Sequence, residues 1–99
     1  MKISGSSKQQ LVNIHGAGFQ IYFDEVQIGD IYEYYQCEVT NSPTRQEVIE
    51  SMIASRYSFG AEFAAINNLL LDPDGYNQYQ QFRALVKEIA DEVLKQIYP

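Results

Sequence analysis

The chain of 99 residues contains one histidine, His15, and one cysteine, Cys37. A Cys–His pair can supply a nucleophile and its general base, provided that a third polar group orients the base. Cys37 alternates with Tyr35 and Val39 along the apolar side of a predicted strand, where a small buried thiol is the ordinary outcome. A minimal enzyme using His15 and Cys37 is therefore the weakest functional hypothesis, and we predict no catalytic residues.

Two short segments have a local likeness to functional loops. His15-Gly16-Ala17-Gly18 is similar to the oxyanion loop of lipases and esterases, but the sequence contains no Gly-x-Ser-x-Gly nucleophile elbow. Asp72-Pro73-Asp74-Gly75 lacks the ligand spacing of a calcium loop. Each segment predicts a turn instead. A single His and a single Cys also cannot form a four-ligand zinc site, so the sequence predicts no metal and no cofactor.

Four residues are candidates for binding a partner. Tyr22, Tyr32 and Tyr34 lie in predicted strands, where cross-strand pairs stabilise a hairpin by about 0.2–1 kcal/mol each. The alternative is an exposed aromatic face for a protein or sugar partner, since Tyr offers a large contact area. Arg83 lies at the edge of the apolar arc of the last predicted helix. Such an arginine usually forms an ion pair, and Glu62 is the expected partner.

The elements that must position these residues divide the chain into two halves. Residues up to about 40 alternate apolar and polar positions, which predicts strands, and Gly29-Asp30 is typical of a type II′ hairpin turn. Asp24-Glu25 interrupts one strand, so the residues that follow are either its continuation after a bulge or a separate strand. Residues 1–10 are polar and predict a flexible arm. The fold class is α+β, a small antiparallel sheet followed by three helices, and residues 11–99 form a single domain.

The helices have clear start signals. Thr44 and Glu47 form a capping box for helix one, and Ser58 can cap helix two. Helix three is expected from about Tyr76 to Ile97. Helix one should bury Val48, Ile49, Met52 and Ile53, and helix two has Phe59, Phe63, Ile66 and Leu70 at spacings of three and four. Helix three has an apolar row at Tyr79, Phe82, Val86, Ile89, Val93 and Ile97. Cover for this long row must come from the sheet, the short helices or a second copy of the chain.

Composition restricts the possible partners. The net charge of −6 argues against nucleic acid and against anionic membranes, both of which require a basic face. A single cysteine fits a reducing, cytoplasmic setting.

The stretch at residues 34–97 resembles small uncharacterised prophage-associated proteins of gut Bacteroides relatives. The segments that suggest this are residues 35–39 (YQCEV), 55–58 (SRYS), 62–67 (EFAAIN) and 82–90 (FRALVKEIA). The chain differs from that group in having Phe82 where a Trp is typical. The resemblance implies proximity to virion or tail genes, and hence a virion-associated alternative to the cytoplasm. It implies no catalytic residues.

Together these patterns favour a non-enzymatic interaction or assembly protein, acting through its aromatic strand face or helix three on a protein partner or as a homo-oligomer. The alternative is a small acidic regulatory or inhibitor protein that mimics nucleic acid. Mimicry predicts carboxylates concentrated on one surface, whereas assembly predicts an apolar patch.

Overall fold

The computed structural model describes residues 2–6, 8–68 and 70–99. Within these residues an antiparallel sheet is followed by helices, which confirms the α+β fold class. The strands are β1 (Lys2–Gly5), β2 (Val12–His15), β3 (Gly18–Ile28) and β4 (Ile31–Val39). The helices are α1 (Arg45–Ala54), α2 (Phe59–Asn67) and α3 (Pro73–Ile97).

The sheet has the strand order β1-β4-β3-β2, with antiparallel pairing throughout. The prediction of a flexible arm is wrong for Lys2–Gly5, which pair with β4 and place Ile3 opposite Tyr34. Met1 and Ser7 lie outside the described residues. Lys2–Gly5 form a strand because β4 has a second backbone edge. Pairing with β1 satisfies the N–H and C=O groups of that edge, and this depends on backbone groups and not on the side chains of β1.

The β3–β4 hairpin is bent. The register shifts between Phe23 and Val26, and Asp24 has a φ of 56° in the left-handed region, so the strand continues after a bulge. Gly29 has a φ of 61°, which glycine adopts without strain and which suits the predicted turn. Beyond the bulge Val26, Ile28 and Ile31 are exposed. We call these three residues the hairpin tip.

The first two helices begin where the sequence predicts. The Thr44 hydroxyl accepts a hydrogen bond from the Glu47 N–H at the start of α1, and Ser58 accepts one from Ala61 N–H at the start of α2. The Asp72-Pro73 segment is not a separate turn. Asp72 caps α3 by accepting from Gly75 N–H, and Pro73 is in the first turn, where its missing N–H costs nothing.

The core lies between one face of the sheet and helices α1 and α3. Its buried members from the helices include all four predicted residues of α1, and Phe82, Val86, Ala90 and Val93 of α3. The sheet contributes Ile21, Phe23 and Val39, with Tyr35 and Cys37 packed beside them. The apolar row of α3 is therefore covered within a single chain. Of the covers that the sequence allowed, the sheet and α1 supply it, because together they extend along α3.

Candidate functional site

The surface that stands out is helix α2. All nine of its residues belong to the described part of the chain, and none of them is buried. Large apolar side chains on α2 and in the turn after it point to solvent: Phe59 (85% exposed), Phe63 (61%), Ile66 (46%), Leu70 (94%) and Leu71 (86%). We call these five residues the α2 patch. Soluble monomers rarely expose apolar groups so close together, and such patches mark interaction sites.

The orientation of α2 is the reverse of that of an ordinary surface helix. Its most covered residues are Glu62 and Ala65, a charged and a small side chain. The Phe59 and Phe63 rings, four residues apart, stack on the outside with centroids 6.4 Å apart. An amphipathic helix normally turns its apolar side toward the core and its polar side toward water. The outward apolar side of α2 therefore indicates a surface that a partner covers.

A partly buried hydrogen bond holds α2 to α3. The hydroxyl of Tyr79, whose side chain is fully buried, donates to Glu62 Oε1 at 2.5 Å. Burial raises the pKa of Tyr79 to about 12, and the hydrogen bond to Glu62 and its negative charge act in the same direction. At neutral pH the phenol is thus a neutral donor to a carboxylate, which is among the stronger hydrogen bonds in proteins.

A cavity of about 350 Å³ opens beside α2, between this helix and α1. Its apolar lining comprises Ile49, Ile53, Ala54, Tyr57 and Phe59. Its polar lining comprises Gln46, Glu50, Glu62 and Arg83. We call this space the α1–α2 cavity. It adjoins the α2 patch directly, because Phe59 belongs to both.

Arg83 lines this cavity, but its predicted pairing is wrong. The ion pairs found among the described residues do not include Arg83 with Glu62, whose Oε1 instead accepts from Tyr79. The Arg83 guanidinium lies 5.8 Å from the centroid of the Tyr79 ring. Its Nε is buried without a hydrogen-bond partner in the described structure. Arg83 therefore packs on Tyr79 as a cation on an aromatic ring.

The tyrosines of the strands do not form the open aromatic face that the sequence allowed. Tyr34 is 2% exposed and so contributes nothing to an exposed aromatic face. Its hydroxyl accepts from the Gln9 N–H at 2.7 Å, because the segment that joins β1 to β2 passes over it. Tyr22 packs edge-on against Tyr34 with ring centroids 6.0 Å apart, and Tyr32 is half-buried. The cross-strand packing role thus accounts for Tyr22 and Tyr34.

His15 and Cys37 are not brought together. Cys37 packs against the core on the helix side of the sheet. His15 Nε2 lies 3.6 Å from Oε1 of Glu38, the residue after Cys37. Successive residues of a strand face opposite sides, so the imidazole and the thiol lie on opposite faces. Burial raises the pKa of Cys37 to about 12, with the Glu38 charge adding to the effect, so the thiol is neutral and a poor nucleophile at pH 7.

A second cavity, of about 490 Å³, lies near the turn between β2 and β3. It is lined by His15, Glu38, Thr40 and Glu47 among others. The carboxylate of Glu47 accepts from both the N–H and the hydroxyl of Thr40, and thereby ties the end of β4 to α1. These polar groups have structural partners. Among the described residues no cluster of three or more potential ligands could hold a metal ion.

Sequence reasoning missed two features. Arg56, in the link between α1 and α2, lies over the rings of Phe82 (4.8 Å), Tyr57 (5.4 Å) and Tyr35 (5.6 Å). The exposure of Leu70 and Leu71 was the other omission, because Leu70 was recognised only as part of the apolar row of helix two. The spacing of Phe59 and Phe63 was recognised, but periodicity does not reveal which side of a helix faces solvent.

None of the helices in the described ranges has both the length and the apolar character needed to cross a bilayer.

Comparisons with protein-family models, with curated proteins and with solved structures found no match to this chain. The resemblance to prophage-associated proteins therefore stays a prediction.

Proposed function

We propose that this protein is a non-enzymatic interaction or assembly protein that binds a protein partner through the α2 patch. The observation that carries the proposal is the reversed orientation of α2, with Glu62 and Ala65 inward and Phe59, Phe63 and Ile66 outward. Burying an exposed Phe, Leu or Ile is favourable by about 1.5–3 kcal/mol each. A partner that covers the patch gains this free energy, which folding of the single chain has left unused.

The distribution of charge supports assembly over nucleic-acid mimicry. Mimicry requires carboxylates gathered on one surface, like the phosphates that they imitate. Exposed carboxylates instead occur on the hairpin (Asp30), on α1 (Glu50) and at both ends of α3 (Asp74 and Glu92). The α2 patch itself consists of apolar residues. An acidic inhibitor acting through its charge is the second candidate function. For the interaction or assembly protein we propose a cytoplasmic or virion-associated location.

Site-specific photo-crosslinking tests the proposal. A photoreactive phenylalanine analogue replaces Phe63 on the patch, or Gln81 on the exposed side of α3 as the matched control. In lysate of the source cell, position 63 should form a discrete protein adduct that excess unlabelled wild-type protein abolishes and excess Phe63→Asp protein does not. Equal labelling from positions 63 and 81, or adducts that both competitors suppress equally, would contradict an interaction role for the α2 patch.

A further inference from the structure

The partner that best fits this patch is another copy of the same chain. Resting on the proposed function, we infer that two copies associate about a two-fold axis near Phe59, α2 patch against α2 patch, each inserting an apolar side chain into the α1–α2 cavity of the other. Patch and cavity share Phe59, so one two-fold axis brings each patch over the opposite cavity. Such an interface closes on itself and gives a dimer, not a filament.

The area of the patch is what a stable dimer needs. A fully exposed Phe offers about 150–250 Å² and a Leu or Ile somewhat less, so the five exposed fractions amount to on the order of 700 Å². A standard interface takes about 800 Å² from each partner. One patch on each copy therefore accounts for nearly all of the surface that a specific dimer buries.

The charge of the patch also favours a second copy. Each chain carries −6, so identical copies avoid contact wherever carboxylates would meet. On α2 the one charged residue is Glu62, which points inward and is already hydrogen-bonded to Tyr79. The side chains of the patch carry no charge, so covering them desolvates none, whereas an inserted side chain must lie on the apolar side of the cavity and leave Glu50 and Arg83 on its polar side in water. A partner selected by opposite charge would require a charged patch, and this patch is uncharged.

The α1–α2 cavity turns a flat apolar contact into a specific one. Dominant interface residues are typically aromatic or other large side chains that fill a pocket on the opposite surface. Ile49, Ile53 and Ala54 of α1 form an apolar wall of this cavity, opposite the polar side chains that line the rest of it. The second copy presents Phe and Leu side chains to that wall. Ala54 is exposed at the mouth of this lining. A large side chain at position 54 would therefore occupy the cavity without altering the patch.

Sedimentation velocity of the purified chain tests the inference. Wild-type protein should convert from monomer to dimer with a dissociation constant of about 1–100 µM, as befits an interface of modest size. Phe63→Asp should raise this constant at least about 30-fold. The matched control, Val26→Asp at the hairpin tip, adds the same charge to another exposed apolar site and should leave the constant unchanged.

A second pair of variants tests the cavity. Ala54→Trp should weaken the dimer at least about tenfold, whereas Ala84→Trp, at an exposed position of α3, should not. Circular dichroism must show that each variant is folded.

A wild-type chain that stays monomeric throughout this range of protein concentration, or a dimer that Val26→Asp weakens as much as Phe63→Asp, overturns the inference. If the chain is monomeric but position 63 still crosslinks specifically to a different protein, the proposed function stands and only the identity of the partner is wrong.

Discussion

Helices α2 and α3 are neighbours in the chain and in space, and both carry large apolar residues at spacings of three and four. On α3 these residues point inward, so that Tyr79 and Val86 are fully buried. On α2 they point outward, and Phe59 is 85% exposed. Tyr79 of α3 contacts Glu62 of α2 and also the ring of Tyr57, in the link before α2.

The difference shows that an apolar stripe is buried only where another element lies opposite it. α3 is long enough to lie along both the sheet and α1, and its stripe meets Phe23, Tyr35 and Met52 in the core. α2 is short and lies beside α3, with no strand among the described residues packed against it. In the described part of the chain, Phe59, Phe63 and Ile66 of its stripe therefore remain exposed. Burial of apolar side chains stabilises α3 when the chain folds. At α2 the corresponding free energy of burial becomes available when another molecule covers the helix.

The largest effect should come from Phe82→Ala, which truncates a side chain that contacts the rings of Phe23, Tyr35 and Tyr57. We expect a loss of about 3–5 kcal/mol in the free energy of unfolding, since a cavity replaces a buried ring. Phe63→Ala on α2 is the matched change and should alter stability by less than about 0.5 kcal/mol. Urea unfolding of both, below the concentration at which any dimer forms, checks this. Similar losses in the two variants would remove the contrast between the helices.

A smaller effect is expected for Tyr79→Phe, which deletes the hydroxyl that binds Glu62. Removing a hydrogen bond to a charged acceptor costs about 1.5–3 kcal/mol. The loss should appear as faster amide hydrogen exchange in α2, with exchange in α1 changed much less. Tyr76→Phe, at a half-buried position one turn earlier in α3, serves as the control. Uniformly faster exchange across all helices would show that Tyr79 stabilises the core and does not attach α2 in particular.

Alkaline pH should weaken the same attachment. The pKa of Tyr79 is about 12, above its usual value of 10, so the folded chain keeps a proton that the unfolded chain loses. This contribution to stability is fully present below pH 10 and declines as the pH rises toward 12, by up to about tenfold in the folding constant per pH unit. The raised pKa of Cys37 likewise gives a contribution to stability that declines as the pH rises above about 9. The free energy of unfolding, measured at several pH values, should therefore fall less steeply with rising pH for Tyr79→Phe than for the wild type. Identical slopes for the two proteins would refute this linkage.

The smallest effect on folding should come from Phe59→Gln on the patch. The ring is largely in water, so its loss should change the free energy of unfolding by less than about 0.5 kcal/mol. Binding of a hydrophobic fluorescent dye to the folded monomer should fall at the same time. A loss of stability above about 1 kcal/mol would mean that Phe59 packs inside the chain, by closing into the α1–α2 cavity.

Several local elements could be predicted because their causes are local. Thr44 and Ser58 cap helices through hydrogen bonds to residues three positions on, and Gly29 adopts a positive φ. The pairing of β1 with β4 could not be predicted in this way, since backbone groups make it. The partner of Glu62 was predicted as Arg83 because charge suggested it. Tyr79 takes that place because the rotation of α3 brings its hydroxyl to the carboxylate.

By itself the sequence determined the order of the strands and helices after β1, the ends of α1 and the start of α2, and which residues form apolar stripes. Those properties depend on hydrogen bonds and spacings within a few residues. The tertiary structure alone decided that Tyr34 is covered, that His15 and Cys37 lie on opposite faces, and that α2 rather than α3 keeps its apolar side in water. Burial of a stripe depends on what lies across from it, and that is a property of the packed chain.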